Sequence, residues 1–263
     1  MSAVAAGRVA DADLLERIER HASRAWPATL VSEFGDGWLL RATPGLFRAR
    51  SNNTLTPRRP LSDGELDAAL AATLEWAEGH GTPVGMQVVP LDLHAGVVDR
   101  LCLLGWEPND PVQVFAAPRE RIAAAGEMEL VVTRGPDPAW IDTWAEADPS
   151  HDRAAVQKHA ATVFANLGER GLFMRGGDDA VGIAVEGDGL VGLFSLAVRP
   201  EARRRGLGRR LVRAMLAHAS AQLAYLQVSS GNTPAVRLYE SLGFEEIYRY
   251  QHVSGPSSVA SAC

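Results

Sequence analysis

The sequence is poor in cysteine and lysine and contains no long hydrophobic run. Its two cysteines are Cys102, inside an apolar stretch, and Cys263, the last residue. We therefore expect no disulfide and a cytoplasmic protein, because disulfide frameworks belong to oxidising compartments. No apolar run approaches the ~20 residues that a membrane span requires, so we expect no membrane association. A formal net charge of −6 argues against general binding of nucleic acid.

Lysine is almost absent, since Lys158 is the one lysine among 26 positively charged residues. Arginine supplies the rest, and it is unevenly distributed along the chain. Six arginines fall close together in an acidic protein: Arg203, Arg204, Arg205, Arg209, Arg210 and Arg213. Such a run of charge is usually one solvated face of a helix, so its interpretation depends on the residues around it.

The segment around these arginines has the pattern of an anion site. In residues 190–213 (LVGLFSLAVRPEARRRGLGRRLVR) an apolar strand ends at Val198, and Arg203-x-x-Gly206-x-Gly208 opens an amphipathic helix. The first turn of a helix has unpaired N–H groups and about half a positive charge. Pyrophosphate suits such a turn, glycines let it approach, and neighbouring arginines can bind it. No Gly-Lys-Ser/Thr follows, so this is not a Walker loop, and it does not extend to a dinucleotide fingerprint.

Hydrophobic periodicity and turn residues predict two similar halves. The order strand, helix, glycine stop and aromatic-led strand in residues 86–107 returns in residues 226–246. Such a repetition favours two related lobes. We therefore predict an α+β fold with two lobes, each a mixed central β-sheet flanked by helices. The expected division is a first lobe at 1–118, a linker at 119–126, a second lobe at 127–255 and a flexible tail at 256–263.

A second motif lies downstream of the arginine-glycine turn. Residues 232–244 read NTPAVRLYESLGF, in which we expect Thr233 to cap a helix that has Pro234 at its first position and that Gly243 ends. The two motifs, in this order, resemble the signature of the GCN5-related N-acetyltransferases, which have Arg/Gln-x-x-Gly-x-Gly/Ala and then Asn-x-x-Ala-x-x-Leu-Tyr-Glu-x-x-Gly-Phe. The resemblance is specific in the second half of the chain and weak in the first. It implies that acetyl-coenzyme A is the cofactor and that a primary amine receives the acetyl group.

The resemblance also implies roles for individual residues. The strand edge at Leu196, Ala197 and Val198 would hydrogen-bond the pantetheine arm of coenzyme A. The residues that would hold pyrophosphate are Arg203, Arg204, Arg205, Gly206, Leu207, Gly208 and Arg209. Asn232 would touch the cofactor, and Tyr239 would protonate the departing thiolate, for which a phenol with a pKa near ~10 is suited. On sequence alone, Tyr239 also fits a core position on an amphipathic helix.

Gln227 departs from the family pattern, because many relatives have a glutamate base at this place. An amide accepts no proton at neutral pH, so the identity of the base stays open. The alternatives are a carboxylate acting through water, a histidine, or no protein group, since an α-amine with a pKa near ~8 is already partly neutral. The candidates are Glu186, Asp188, His151 and His159, each of which also fits an ordinary surface position. No metal site is expected.

The first half lacks the residues that would bind the cofactor. In place of the arginine-glycine turn it has Ser62-Asp63-Gly64-Glu65, whose Ser-x-x-Glu spacing predicts a capping box and whose acids would repel pyrophosphate. We expect this half to bind no coenzyme A and to form a wall of the acceptor pocket. Two extended runs around Pro44-Gly45, residues 37–43 and 46–55, predict a hairpin.

Residues 38–55 (WLLRATPGLFRARSNNTL) also resemble a segment of two-lobed actinobacterial acetyltransferases, among which an N-acetylglutamate synthase activity is known. The candidate acceptor-binding residues in this segment are Arg48, Arg50, Asn52 and Asn53. Their side chains are suited to hold a carboxylate across the interface between the halves. A polar strand face followed by a turn is the alternative.

Three functions stay open on sequence alone. The first is direct transfer of acetyl from acetyl-coenzyme A to the primary amine of a small molecule, such as an amino acid like glutamate. The second is acetylation of the N-termini of proteins or peptides. The third is a coenzyme A sensor without turnover, for which Gln227 is the support. Neither cysteine lies near the motifs, so no acyl-cysteine step is expected. We expect a monomer or a homodimer.

Overall fold

The computed structural model describes residues 12–46, 49–147 and 153–256. The helices in these ranges are α1 (Ala12–Ala25), α2 (Asp63–His80), α3 (Ala95–Leu103), α4 (Pro138–Ala147), α5 (Arg153–Leu167), α6 (Leu207–Ala217) and α7 (Thr233–Leu242). The strands are β1 (Leu30–Phe34), β2 (Trp38–Ala42), β3 (Asn53–Leu55), β4 (Gly85–Val88), β5 (Glu107–Pro108), β6 (Val112–Pro118), β7 (Val131–Thr133), β8 (Gly171–Gly176), β9 (Ala180–Gly187), β10 (Leu190–Val198), β11 (Leu223–Ser229) and β12 (Glu245–Ser254). None of these helices has the length and apolar character that crossing a membrane requires.

The described strands form one mixed sheet of twelve strands. Its order is β1-β2-β3-β4-β12-β6-β11-β10-β9-β8-β7, and β5 pairs with β12 off this path. The pairs β3–β4 and β10–β11 are parallel, and the other neighbours are antiparallel. The predicted α+β class, a mixed sheet flanked by helices, is confirmed.

The two halves of the chain share the centre of this sheet. Although β6 belongs to the first half by sequence, it pairs with β11 on one side and with β12 on the other. The last strand, β12, pairs with β6 between Glu245 and Tyr250, and with β4 between Gln251 and Ser254. Each half therefore contributes a strand to the other, an exchange that the sequence did not predict.

Alternation along the central strands places the helices on two faces of the sheet. On β11, Tyr225 packs with α1, α4 and α5, whereas its neighbours Ala224 and Leu226 pack with α6 and α7. On β10, Phe194 belongs to the first of these clusters and Leu193 to the second. We call the two sides the α1 face and the α6 face.

The segment before β3 differs from the predicted hairpin. β2 and β3 do pair, but a 3₁₀ turn replaces the extended chain between them. Asn52 donates to the carbonyl of Leu46 (2.8 Å) and accepts from the N–H of Thr43 (2.7 Å). Asn53 donates to the carbonyl of Ala49 (2.6 Å). Asparagine side chains that bond the nearby backbone favour a turn over a strand.

Two further segments differ from what the sequence led us to expect. β1 was not predicted; it is an edge strand whose Val31 side is exposed. Residues 119–126, the expected linker, pack against the second half. Ile122 is buried with the α6-face cluster, and Arg119 Nε donates to the carbonyl of Ala221 (2.9 Å).

Candidate active site

Strands β10 and β11 separate after a short stretch of parallel pairing. The pairing ends at Leu193 of β10 and Leu226 of β11, whereas β10 continues to pair with β9 on its other side. Ser195 has a φ of 50°, and the pairing with β9 shifts register at this point. Residues 195–198 are half-buried, unlike the buried residues before them. The predicted pantetheine-binding residues, 196–198, therefore lie on a strand edge that pairs with no described strand on the β11 side.

The turn at the start of α6 leaves backbone N–H groups free. Gly206 is the N-cap, with a φ of 76°, and no side chain caps the helix. The bond from Arg210 N to Gly206 O (3.1 Å) is the first into the helix. Among the described residues, the N–H groups of Leu207, Gly208 and Arg209 have no backbone acceptor. Unpaired N–H groups and the helix dipole together make this turn suitable for an anion.

The arginines of this turn divide into two groups. Two of them hold local structure: Arg203 Nε donates to the carbonyl of Val198 (3.1 Å), and Arg209 Nη2 donates to Ser241 Oγ (2.7 Å). The arginines that are exposed and have no hydrogen bond or ion pair with a described residue are Arg204, Arg205 and Arg210. The second group is free to bind an anion that reaches the turn.

Gly208 brings three motif elements together. A Cβ built on this residue would lie 3.2 Å from Cδ2 of Leu238 on α7 and 3.9 Å from Cγ2 of Val198 at the end of β10. A side chain here would press on α7, so this glycine allows close packing as well as phosphate approach. The open strand edge, the α6 turn and α7 are therefore neighbours.

Tyr239 combines a core ring with a free hydroxyl. The residue is 8% exposed, belongs to the α6-face cluster and packs edge-on against Phe244, with ring centroids 6.1 Å apart. Within the part of the chain that the structure describes, its hydroxyl has no hydrogen-bond partner. Burial raises the pKa of the Tyr239 hydroxyl to about 12. The phenol is therefore protonated at neutral pH and can act as a donor.

Asn232, predicted to touch the cofactor, caps helix α7. Its Oδ1 accepts from the N–H of Ala235 (3.3 Å), so the cap is Asn232 and not Thr233, which is the first helical residue. The Asn232 side chain is exposed, and its Nδ2 stays available to a ligand. The predicted glycine stop is present, since Gly243 ends the helix with a φ of 93°.

On the α1 face, Arg50 reaches the point where β10 and β11 separate. Its Nη2 contacts Oε1 of Gln227 on β11 and the hydroxyl of Tyr250 on β12, the latter at 3.0 Å. Its guanidinium carbon lies 5.9 Å from the ring centroid of Trp26 and 6.0 Å from that of Phe194 on β10, which are cation–π distances. A residue of the first half thus lies against the open strands of the second.

The contact with Arg50 gives a physical reason for the amide at position 227. A glutamate there would form an ion pair with Arg50, and a neighbouring positive charge lowers the pKa of a carboxyl group. Such a glutamate would be a weaker base. Gln227 accepts from Arg50 without neutralising it, which leaves the positive charge for a ligand.

A cleft of ≈ 10 Å³ lies beside Arg50. Its lining residues are Glu19, Ala22, Ser23, Arg41, Arg50, Gln87 and Gln227. Sequence reasoning missed Glu19, Arg41 and Gln87. Glu19 could have been found from the sequence. It lies on the buried side of α1 together with Leu15, and a charged residue on the apolar face of a helix is unusual.

The other acceptor candidates lie elsewhere. Asn52 and Asn53 use their amides in the 3₁₀ turn and line a second cleft of ≈ 70 Å³, which His252 also lines. Asn53 Oδ1 accepts from Arg41 Nη2 (2.8 Å) and so positions that arginine. Arg48 lies outside the described residues.

The candidate bases named from sequence are engaged in structural contacts or are not described. Glu186 accepts from the N–H groups of Ser220 (3.0 Å) and Ala221 (2.9 Å), and Asp188 pairs with Arg24. Both acids lie at the end of the β9–β10 hairpin that is remote from the opening of β10, so we do not place either as the base. The other two candidates, His151 and the side chain of His159, lie outside what the structure describes.

The corresponding place in the first half is closed. β3 and β4 are parallel, as β10 and β11 are, but Thr56 bridges the gap beyond β3. Its N–H donates to the carbonyl of Gln87 (3.1 Å), and its Oγ1 donates to the carbonyl of Val89 (3.0 Å) and accepts from the N–H of Val89 (2.8 Å). At the start of α2, Ser62 and Glu65 form the predicted capping box, which occupies N–H groups of the kind that stay free at α6.

The fold is that of the GCN5-related N-acetyltransferases. The structure is similar to that of a GCN5-related N-acetyltransferase from Kribbella flavida, with a TM-score of 0.67 and 15% identity, over 98% of this chain and 99% of that one. It is also similar to a tandem GNAT protein from the clavulanic acid biosynthesis pathway, with a TM-score of 0.59 and 14% identity, over 90% and 87% of the two chains. At these identities the likeness is one of fold.

Sequence comparison gives the particular family. Residues 14–253 match the family described as "Probable histone acetyltransferase Rv0428c C-terminal", and the chain belongs to this family. It is similar to the uncharacterized N-acetyltransferase YobR of Bacillus subtilis (strain 168), with 27% identity over 252 residues, 91% of this chain and 98% of that protein. It is also similar to the N-alpha-acetyltransferase RimI of Mycobacterium tuberculosis (strain ATCC 25618 / H37Rv), with 29% identity over 158 residues, 56% and 89% of the two. The resemblance inferred from the two motifs is confirmed, and the protein is an N-acetyltransferase.

Proposed function

We propose that this protein transfers an acetyl group from acetyl-coenzyme A to the primary amine of a small molecule. The observation that supports this is the opening between β10 and β11, which has Tyr239 on the α6 face and Arg50 with Gln227 on the α1 face. A thioester placed in the opening is accessible to a proton donor from one face and to an amine from the other.

The residues on the α6 face fit acetyl-coenzyme A. The free edge at Leu196, Ala197 and Val198 offers backbone groups to the amides of a pantetheine arm. The uncapped start of α6 and the free arginines offer N–H groups and positive charge to a pyrophosphate. When bound, acetyl-coenzyme A supplies the acetyl group as a thioester.

Tyr239 is the proton donor in this proposal. Its hydroxyl has no partner among the described residues, and a pKa of about 12 keeps it protonated at physiological pH. Oη can therefore donate to sulfur while negative charge develops there. A preorganised donor in a site without bulk water stabilises such a charge strongly.

The arrangement favours direct attack of the amine in a ternary complex. Cys102 is exposed on α3 in the first half, and Cys263 lies outside the described residues. No described cysteine is therefore close to the opening, and the acceptor and the thioester approach it from opposite faces. An acyl-cysteine step has no support in this geometry.

The size of the cleft beside Arg50 favours a small acceptor. Its volume of ≈ 10 Å³ admits about one water-sized group, such as the ammonium of an amine, and its wall is charged. A peptide N-terminus is the second candidate, favoured by the 29% identity with RimI over 89% of that protein.

A turnover assay separates these candidates. The protein would be incubated with acetyl-coenzyme A and either small primary amines, including amino acids, or peptides with free N-termini, while free thiol is followed. We expect thiol release with small amines. Release with peptides alone would favour the second candidate, and cofactor binding without release in either series would favour a sensor and contradict the proposal.

We expect acetyl-coenzyme A to bind once per chain, because Thr56 and the capping box of α2 close the corresponding place in the first half. Calorimetric titration measures this stoichiometry directly.

We also expect Arg205→Ala to weaken binding about 10-fold, which corresponds to one charge-assisted contact. The matched variant Arg59→Ala, near the start of α2, should leave the affinity unchanged. Two equivalent sites, or equal effects of both variants, would contradict the expectation.

A further inference from the structure

Glu19 is a buried carboxylate on the wall of the cleft beside Arg50. It is 2% exposed, and its two oxygens have different partners. The hydroxyl of Tyr248 on β12 donates to Oε1 (2.6 Å), and Nε2 of Gln87 on β4 donates to Oε2 (3.2 Å). A helix of the first half thus places an acid in the cleft that Gln227 of β11 also lines.

The surroundings of Glu19 raise the pKa of its carboxyl group. Burial raises the pKa of Glu19, while the hydrogen bond from Tyr248 and the charges of nearby arginines oppose this shift. The titratable groups that act on it are Arg41 on β2, Arg50 in the 3₁₀ turn, Arg58 after β3, Tyr225 on β11 and Tyr248 on β12. A carboxylate with a raised pKa accepts a proton from an ammonium more readily than an exposed one does, because the difference between the two pKa values is smaller.

The lining of the cleft has an excess of positive charge. Arg41 and Arg50 provide two guanidinium groups, and Glu19 provides one carboxylate. Arg41 bonds to Asn53 and Gln87. Arg50 makes its hydrogen bonds through Nη2, so its Nε and Nη1 have no partner among the described residues. A half-buried positive charge with free donors is best satisfied by an anionic group.

We propose that Glu19 binds the ammonium group of the acceptor and takes its proton, while Arg50 binds a carboxylate of the same acceptor. The substrate is then a primary amine that carries a carboxylate, as amino acids do. This inference rests on the proposed function. The amide of Gln227 cannot act as the base, and this inference places the base on the first half of the chain instead.

The proton transfers balance in this scheme. The ammonium nitrogen gives one proton to a Glu19 oxygen, which leaves a neutral amine and a neutral carboxylic acid. The nitrogen lone pair forms the new N–C bond while the C–S bond breaks. The sulfur takes a proton from Tyr239. The nitrogen then loses its second proton to solvent, and solvent returns a proton to Tyr239. Glu19 then releases its proton to solvent.

Glu19→Gln tests the role of the acid, with Glu16→Gln as the matched control. Glu16 lies one turn earlier on α1, where it pairs with Arg20 and Arg58. We expect kcat/KM for the amine to fall at least about 100-fold at pH 7 in Glu19→Gln, with the affinity for acetyl-coenzyme A unchanged. Glu16→Gln should stay within about twofold of the wild type.

The pH profile distinguishes a proton acceptor from a structural residue. Without Glu19, only the neutral amine reacts, so the rate of the variant should rise about tenfold per pH unit as long as the pH stays below the pKa of the acceptor amine. The deficit relative to the wild type should therefore shrink about 100-fold between pH 6 and pH 8. A deficit that is constant across this range would overturn the role of Glu19.

Matched acceptor pairs test the carboxylate. The pairs are leucine with isopentylamine and phenylalanine with phenethylamine. We expect the amino acid of at least one pair to react at least about 100-fold faster than its partner, and Arg50→Met to remove most of that preference, while Arg50→Lys keeps part of it. Thiol release without any preference in the wild type would overturn this inference alone. The absence of thiol release with every amine would overturn the proposed function itself.

Discussion

Tyr239→Phe is expected to lower kcat by about 10²–10⁴-fold and to change the affinity for acetyl-coenzyme A by less than about twofold. The loss corresponds to roughly 3–5 kcal/mol of transition-state stabilisation. The substitution removes a hydroxyl that has no partner among the described residues, and it keeps the ring that packs on Phe244. The fold should therefore be preserved while the proton donor is lost.

Single-turnover release of thiol, with enzyme in excess over acetyl-coenzyme A, is the measurement that isolates the chemical step. Steady-state rates would hide the effect if product release limited the wild type. Glu240→Gln, at the next residue of α7 and exposed, is the control and should match the wild type. A Tyr239→Phe protein that releases thiol within a few-fold of the wild-type rate would remove Tyr239 from the mechanism.

Gly206→Glu is expected to abolish measurable binding of acetyl-coenzyme A, a loss of more than about 100-fold. The φ of Gly206 is 76°, a conformation that costs a side-chain-bearing residue about 1–2 kcal/mol. A Cβ there would meet no atom within 4 Å, so the fold can accept the residue. The added carboxylate would lie where pyrophosphate is expected, and it would compete for the free N–H groups of α6.

Gly105→Glu is the matched control for this variant. Gly105 has a φ of 81°, and a Cβ there would also meet no atom within 4 Å. Both variants add the same charge and a similar backbone strain, but Gly105 follows α3 in the first half. Calorimetry should show unchanged affinity in Gly105→Glu and a similar loss of thermal stability in both. Comparable binding by the two variants would show that the α6 turn is not the anion site.

The motifs of the second half could be predicted from sequence because each is local. A strand end, a glycine turn and a helix start lie within a few residues of one another around Gly206, and the chain alone determines that geometry. The same is true of α7, where Asn232 and Gly243 mark both ends. Tyr239 stays a prediction as a catalytic group, because local pattern defines its helix and not the contact with a substrate.

The α1 face was harder to predict because its contacts join residues that are far apart in the chain. Arg50 was proposed as an acceptor-binding residue, and the structure places it against Gln227, 177 positions away. Glu19 depends on Tyr248, 229 positions away. Asn52 and Asn53 were also predicted to bind the acceptor. Only the folded turn shows that their side chains bond to the nearby backbone instead.

The exchange of strands in the central sheet also determines when the chain can finish folding during synthesis. β4 leaves the ribosome early, but one of its edges pairs with β12, the last strand to emerge. β6 is likewise made before either of its neighbours, β11 and β12. The nascent first half therefore presents unpaired strand edges, which are sites of aggregation, until the second half is nearly complete. Neither half has a complete sheet of its own, so a polypeptide truncated between them is a target for chaperones and proteases and not a smaller enzyme.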